Sequence, residues 1–438
     1  MATATRTQSG RRSSFHVITM TLGNLIGPVS TLLCAPILAY QLGVQGRGEL
    51  AASTMPLVLL SASLTLGLPE ALTYRLGRFA GESRQALKMA TLALSISGAI
   101  GAVVLLLLAP WLATDSPTVI DLVQLSALAA IPTVVLWGLR GTAQGLQQWA
   151  TLNMEKAVTG LVRLGGIAGL AISQSLTVHS AFLVIVGAPI LGYVAYIKML
   201  RRMPAGGPKR DGLLRKMSSF GSKVWLGSIA GILITRLDQV LILPLSSAEQ
   251  LGLYAAAVNV GDIPFFLTAA FGSIILAKES SDSSNGRVEF ASRVLFTVVL
   301  VVTAVVAATS HLWFGFLFGP TFAEGSNTAV VLLLAALVSA PGTIAGSTLT
   351  GRGHAHDRSV ALAAGLIVNV GLLLGLVPTL GSLGAGLATL GGIVMVTSVS
   401  LVQLWMRLGI NPGRMIILRR SDLRRLNAEL RRRKSDAR

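Results

Sequence analysis

From about residue 17 to residue 407 the chain is a succession of apolar runs, each about 20 residues or longer, separated by short polar stretches. A helix of about 20 apolar residues spans a hydrocarbon core of about 30 Å. Inside lipid the backbone must satisfy its own hydrogen bonds, which a helix does within a single run. The runs predict about twelve spanning helices, at 17–42, 50–68, 87–110, 118–138, 156–174, 179–200, 217–245, 250–277, 290–313, 326–349, 358–378 and 383–407. Composition agrees: 52% of residues are hydrophobic and 12% charged, against roughly 25% charged in soluble domains, and the mean hydropathy is +0.70. The first run is too long for a signal-peptide core of about 7–15 residues, so it reads as a retained first helix behind Arg6, Arg11 and Arg12.

The net charge of +18 does not point to nucleic acid, because the basic residues stand in short loops and tails between apolar spans. Anionic lipid headgroups are the cheaper partner. Numbered from a cytoplasmic N-terminus, the inner loops collect the Lys and Arg residues, including Arg75, Arg140, Lys156, Arg201, Arg293, Arg352 and Arg358. The outer loops hold Arg47 alone, so the charge bias predicts that both termini are cytoplasmic. Trp111 and Trp313 fall at outer helix ends and Trp137, Trp225 and Trp405 at inner ends, as an aromatic belt does.

Residues 201–216 form the longest basic inner loop, broken by Pro and Gly and lying midway. They divide the chain into an N-terminal six-helix bundle (1–200), this linker, a C-terminal six-helix bundle (217–408) and a basic tail (409–438). The halves repeat. Gly48, Ala51 and Ala52 match Gly252, Ala255 and Ala256 at an offset of 204, and Gly160, Leu161 and Gly166 match Gly365, Leu366 and Gly371 at 205. An even number of helices per unit gives parallel repeats, whose halves enclose the transport path.

Polar residues inside apolar runs are expensive and therefore functional suspects. The hairpin from Lys223 to Pro264 carries Arg236, Asp238, Asn259 and Asp262. Arg236 and Asp238 lie two residues apart, about 200° around a helix, so Asp262 on the returning helix is the better partner for Arg236. In helix 1, Asn24, Gly27, Thr31 and Cys34 share one face and correspond to Ser228, Gly231, Thr235 and Asp238. This stripe serves either close helix packing or cavity lining. Glu49, Ser53, Pro56, Ser63, Gly67 and Glu70 follow a similar spacing along helix 2, and Glu49 and Glu70 join Asp238 and Asp262 as candidate coupling or ion-pairing carboxylates. Pro28, Pro36, Pro56 and Pro264 can bend the opening helices or simply kink them. Arg163, in helix 5, either meets an anionic headgroup or snorkels to the interface.

Cys34 is the single cysteine, so no disulfide forms within the chain. His354 and His356 read as a solvated loop rather than a metal site. No nucleophile-elbow, phosphate-loop, zinc-ligand or paired-carboxylate pattern stands at a useful spacing, and the sequence points to no catalytic residue, cofactor or metal. In the tail, Leu423, Leu426 and Leu430 sit at i, i+3 and i+7 among basic residues. They suit an amphipathic helix on an anionic leaflet or a solvated extension.

Several short motifs together resemble the Wzx-like oligosaccharide flippases of the multidrug/oligosaccharidyl-lipid/polysaccharide (MOP) exporter superfamily. They are Gly46-Arg47-Gly48-Glu49-Leu50, Gly67-Leu68-Pro69-Glu70-Ala71, Arg236-Leu237-Asp238-Gln239 leading to Leu251-Gly252-Leu253-Tyr254-Ala255, Phe318-Gly319-Pro320-Thr321-Phe322, and the run from Gly381 to Ala388. The resemblance implies an all-α membrane protein of two bundles around a central cavity, working by alternating access in a bacterial cell membrane. It implies a lipid-linked saccharide on a polyprenyl pyrophosphate carrier, with a polysaccharide polymerase or glycosyltransferases as partners. On that reading Arg236 contacts the pyrophosphate, with Arg47, Arg163, Asn24 and Asn259 as further substrate contacts. Asp238 and Asp262 then hold the arginine or bind a coupling cation. A multidrug antiporter of the same superfamily and a membrane scaffold for an envelope-assembly complex are the competing readings. A membrane enzyme ranks last.

Overall fold

The computed structural model describes residues 2–114, 116–203, 212–417 and 422. They form helices α1 (Ala2–Ser63), α2 (Leu68–Leu76), α3 (Ser83–Ala113), α4 (Pro117–Gly145), α5 (Trp149–Ile172), α6 (Val178–Leu191) and α7 (Ile197–Arg201). The second part holds α8 (Leu213–Leu245), α9 (Ala248–Ser281), α10 (Asn285–Phe318), α11 (Gly325–Gly351) and α12 (Ala355–Leu408). The described residues contain no strand. Among the described residues eight helical segments, counting Val178–Arg201 (α6 through α7) as one, are long and apolar enough to cross a membrane.

Two helices are too long to be single rods. At 1.5 Å per residue the 62 residues of α1 would extend about 93 Å, three times a hydrocarbon core. The helix is interrupted at Gly43 (φ 66°, ψ −176°), a conformation that a residue without a Cβ adopts freely. Gly27 and Ser30 line the same cavity as Val58 and Ser61, about 45 Å apart on a straight rod. The chain therefore turns back at Gly43. In α12 the break falls at Gly381 (φ 54°, ψ −128°). A Cβ on Gly392 would stand 2.8 Å from that of Asn369, and one on Gly384 would stand 3.0 Å from the Val377 nitrogen, so this helix too is a folded hairpin. The expected pairs 17–42 with 50–68 and 358–378 with 383–407 are these two hairpins. Their breaks lie at glycines, while Pro28, Pro36, Pro56 and Pro378 sit within helical backbone.

Three local expectations change. Span 50–68 ends early: α1 stops at Ser63, a turn through Leu66 (φ 52°) and Gly67 (φ 67°) follows, and the short α2 continues beyond it. Span 179–200 is α6, a 3-10 turn at Gly192–Tyr196, and α7. Arg140, Lys156, Arg293 and Arg358 are on α4, α5, α10 and α12 rather than in inner loops. The reason is length: a 34-residue helix such as α10 is about 51 Å long, so its terminal turns carry charges beyond the hydrocarbon. The centre of the expected linker, 204–211, lies outside the described residues, as do Leu423, Leu426 and Leu430.

The repeat is visible in contacts. Gly48 packs on the backbone of Ala248, and Gly252 packs on the backbone of Val44. Under the offset of 204 the first contact becomes the second, as across a two-fold axis. Arg75 and Glu82 form an ion pair at 2.6 Å; 204 and 205 positions later Glu279 and Arg287 form one at 3.2 Å with the charges exchanged. Around the Gly48–Gly252 crossing a buried apolar cluster joins the halves, with Ala35, Ala39 and Val44 against Tyr254, Phe314 and Phe318. At the other end of the seam Gly67 meets Gly221, Trp225 donates to the Ser63 carbonyl at 2.6 Å, and Tyr74 stacks on Phe220 at 4.5 Å.

The tail is tied to the bundle. Arg293 of α10 donates to Asp422 at 2.7 and 3.0 Å and to the Arg414 carbonyl at 2.6 Å. Both side chains are almost fully buried, at 5% and 2% exposure. Removing one partner of a buried pair strands a charge and costs about 3–5 kcal/mol. Asp422→Ala is expected to lower the unfolding temperature measurably, and truncation before Asp422 to do so more than truncation after it; a thermal melt of the three proteins checks this.

Candidate functional site

The seam between the halves encloses a cavity of about 480 Å³. One wall is Pro28, Val29, Thr31 and Leu32 of α1; the other carries Arg236 of α8 and Asn259, Asp262 and Phe266 of α9. The lining is mostly apolar, with Thr31, Asn259 and the pair in which Arg236 donates from Nη2 to Asp262 Oδ2 at 3.2 Å as its polar groups. Both side chains are about a third exposed, 32% and 28%, so the pair faces the cavities instead of being sealed in protein. Asn259 also lines the seam and bonds back to the Ala255 carbonyl at 2.7 Å.

Arg236 and Asp262 also border a second cavity of about 520 Å³ inside the C-terminal half, with Asp238, Tyr254, Thr389 and Arg358. Asp238 points away from the seam, as two steps along a helix require. It is 2% exposed and accepts bonds from the Gln239 backbone at 2.7 Å, from Thr389 Oγ1 at 3.1 Å and from the Tyr254 hydroxyl. The two charges of one motif share this second cavity but differ in their partners: Arg236 also reaches the seam and pairs with Asp262, and Asp238 is held in a hydroxyl cage. Tyr254→Phe removes one donor from a buried carboxylate and is expected to cost about 1–3 kcal/mol of stability. Equilibrium unfolding of purified protein checks this.

A third cavity, about 260 Å³, lies inside the N-terminal half and is lined by Arg140, Glu155, Lys156 and Arg163. Glu155 is fully buried and gripped by Arg140 through two bonds at 3.1 and 2.8 Å. Arg163 donates to Thr31 at 2.7 Å, across the expected helix 1 stripe. That stripe is divided among three surroundings: Gly27 opens into this cavity, Thr31 lines the seam, and Cys34 is buried in an apolar cluster. Cys34 is within electrostatic reach of both Arg47 and Arg163. Of the remaining candidates, Glu49 accepts from Gln45 at 3.2 Å and Glu70 has a buried oxygen with no partner. The side chain of Asn24 lies outside those described.

Reasoning from the sequence missed Tyr254, Thr389, Glu155 and Arg358. Glu155 had a signal, a lone acid within a helical run; Thr389 had none, because its partner lies 151 residues away.

A family model described as polysaccharide biosynthesis protein matches residues 16–276, more than half of the chain, including Arg236, Asp238 and Asp262. The chain belongs to this family. The matched region holds nearly all of the N-terminal half and all but the last turn of the seam-forming α8–α9 hairpin. Among solved structures, an inward-facing multidrug resistance MATE family transporter of the MOP superfamily superposes with a TM-score of 0.70 at 15% identity. That match covers 89% of this chain and 98% of the other. The lipid II flippase MurJ in an inward closed conformation superposes with 0.69 at 12% identity, covering 91% and 89%. A mutant of the Vibrio cholerae MATE transporter VcmN superposes with 0.63 at 16% identity, covering 92% and 98%. The fold is that of the MOP exporters. Among curated proteins no sequence matches the chain.

Proposed function

We propose that the protein flips a polyprenyl-pyrophosphate-linked oligosaccharide from the inner to the outer leaflet of a bacterial cell membrane by alternating access. The observation that carries this reading is the seam cavity, mostly apolar in its lining and holding an arginine that is only partly exposed. A polyprenyl chain needs an apolar wall, and a pyrophosphate leaving water needs positive charge and donors to replace its hydration. Arg236 is the phosphate contact, and Asp262 neutralises it while the site is empty. Arg47 and Arg163 receive the headgroup on either side of the seam, with Asn24 and Asn259 as polar contacts. The Asp238 cage holds α8, α9 and α12 together and is the candidate for cation coupling, with Glu49 and Glu70 as further carboxylates. The positive-inside bias supports cytoplasmic termini, with the basic loops and tail against anionic lipid, and a polymerase or glycosyltransferases as neighbours. A cationic drug gains nothing from Arg236, which disfavours the multidrug reading.

Reconstitution tests the proposal. Proteoliposomes loaded asymmetrically with a polyprenyl-pyrophosphate oligosaccharide are expected to expose the glycan to an external lectin faster than protein-free liposomes. Equal rates in the two, with transport of a cationic dye instead, would overturn it.

A further inference from the structure

One cation lining the N-terminal cavity is left with an unused donor. Arg140, Lys156 and Arg163 line it with Glu155, whose two oxygens accept from Arg140. Arg163 has no carboxylate within ion-pair distance among the described residues. One of its terminal nitrogens reaches Thr31, and its Nε is buried without a hydrogen-bond partner. A guanidinium withdrawn from water with a donor unused is costly unless an acceptor arrives. The planar fork of an arginine suits a tetrahedral oxyanion.

The shape limits the occupant. At about 260 Å³ the cavity is smaller than the roughly 300–1,000 Å³ of drug-sized ligand sites, so it takes a compact group and not a saccharide. Lys156, Thr159, Gly160 and Arg163 present one face of α5 to it. Gly160 lets helix 1 approach closely: a Cβ there would stand 3.1 Å from Ile26 and 3.4 Å from Ser30. Across the cavity Gly27 faces open space, with nothing within 4 Å of where its Cβ would be.

We infer that this cavity is a binding site for a compact phosphate-class oxyanion, held by Arg163, separate from the seam around Arg236. The anion is either a free phosphate or pyrophosphate, or the phosphate of a lipid headgroup reaching in from the seam past Thr31. The headgroup alternative rests on the transport reading, in which Arg163 meets the headgroup, and the free-ion alternative does not; binding is measured with no transport taking place, so failure of one is distinguishable from failure of the other.

The test is calorimetric titration of the full-length protein in nanodiscs with inorganic phosphate, inorganic pyrophosphate and a short-chain prenyl phosphate. Saturable binding is expected, weakened at least tenfold by Arg163→Gln and also by Gly27→Leu, which fills the cavity from a position with open space. Binding of the inorganic anions identifies the free ion as the source; binding of the prenyl phosphate alone, with the same two dependences, identifies the headgroup. Gly27→Leu keeps the test decisive if Arg163→Gln folds poorly. Absence of binding by all three probes overturns the inference. So does binding that survives both variants, or that is lost only in Arg236→Gln.

Discussion

Replacing Arg236 with alanine is expected to slow glycan flipping by about ten- to a hundredfold at normal protein abundance. A hydrogen bond to a charged group contributes about 1.5–3 kcal/mol, and every 1.4 kcal/mol is a factor of about ten. Asp262 would be left without its partner, but it is partly exposed to the cavity, so solvent screening keeps the folding cost well below that of a sealed pair. Loss of function without loss of protein is therefore the expected pattern. Asp262→Ala should act differently, freeing Arg236 to hold substrate too tightly and slowing its release. Exchanging the charges, Arg236→Asp with Asp262→Arg, separates the two roles. An ion pair that only fastens α8 to α9 is restored by the exchange, whereas a phosphate contact at position 236 is not. Lectin accessibility in proteoliposomes, normalised to protein content, reads all four proteins. Wild-type flipping by the exchanged pair would reduce this arginine to a structural role.

The second large effect is expected at the crossing of the hairpin tips. Gly48 lies against the Ala248 carbonyl and Gly252 against the Val44 carbonyl, closer than any Cβ tolerates. Gly252→Val forces these backbones apart, and overpacking of this kind costs about 1–3 kcal/mol. That cost falls on the conformation in which the tips touch and not on one in which they separate. A bias of about 1–3 kcal/mol shifts a two-state equilibrium roughly 5–150-fold. Leu251, fully buried beside the crossing, is a suitable reporter. In a Cys34→Ser background, Leu251→Cys should react slowly with a membrane-impermeant maleimide and much faster once Gly252→Val is added, with flipping lost in parallel. Unchanged labelling together with normal flipping would mean that the tip contact is not part of a moving closure.

The membrane class, the apolar spans and the internal repeat were legible in the chain because each rests on local properties. Apolar length is a property of one run, and charge bias a property of one loop. The Arg236–Asp262 relation was legible too, because two positions on a helix face opposite ways and the returning helix is only a turn away. The tail was less legible. The spacing of Leu423, Leu426 and Leu430 speaks of lipid, whereas the adjacent Asp422 is engaged by Arg293 of α10, 129 residues earlier.

What the sequence determined by itself, then, is what the bilayer dictates: apolar helices in two related halves. What only the tertiary structure decided is which polar groups meet. The face of helix 1 that reads as one stripe is shared among the N-terminal cavity at Gly27, the seam at Thr31 and an apolar cluster at Cys34. Asp238 finds Thr389 across the C-terminal half, and Arg140 closes on Glu155 and leaves Arg163 uncompensated. Helix periodicity assigns a residue to a face. The neighbour that covers that face comes from elsewhere in the chain, and its charge and hydroxyls decide whether the residue is packed, paired or left open to a ligand.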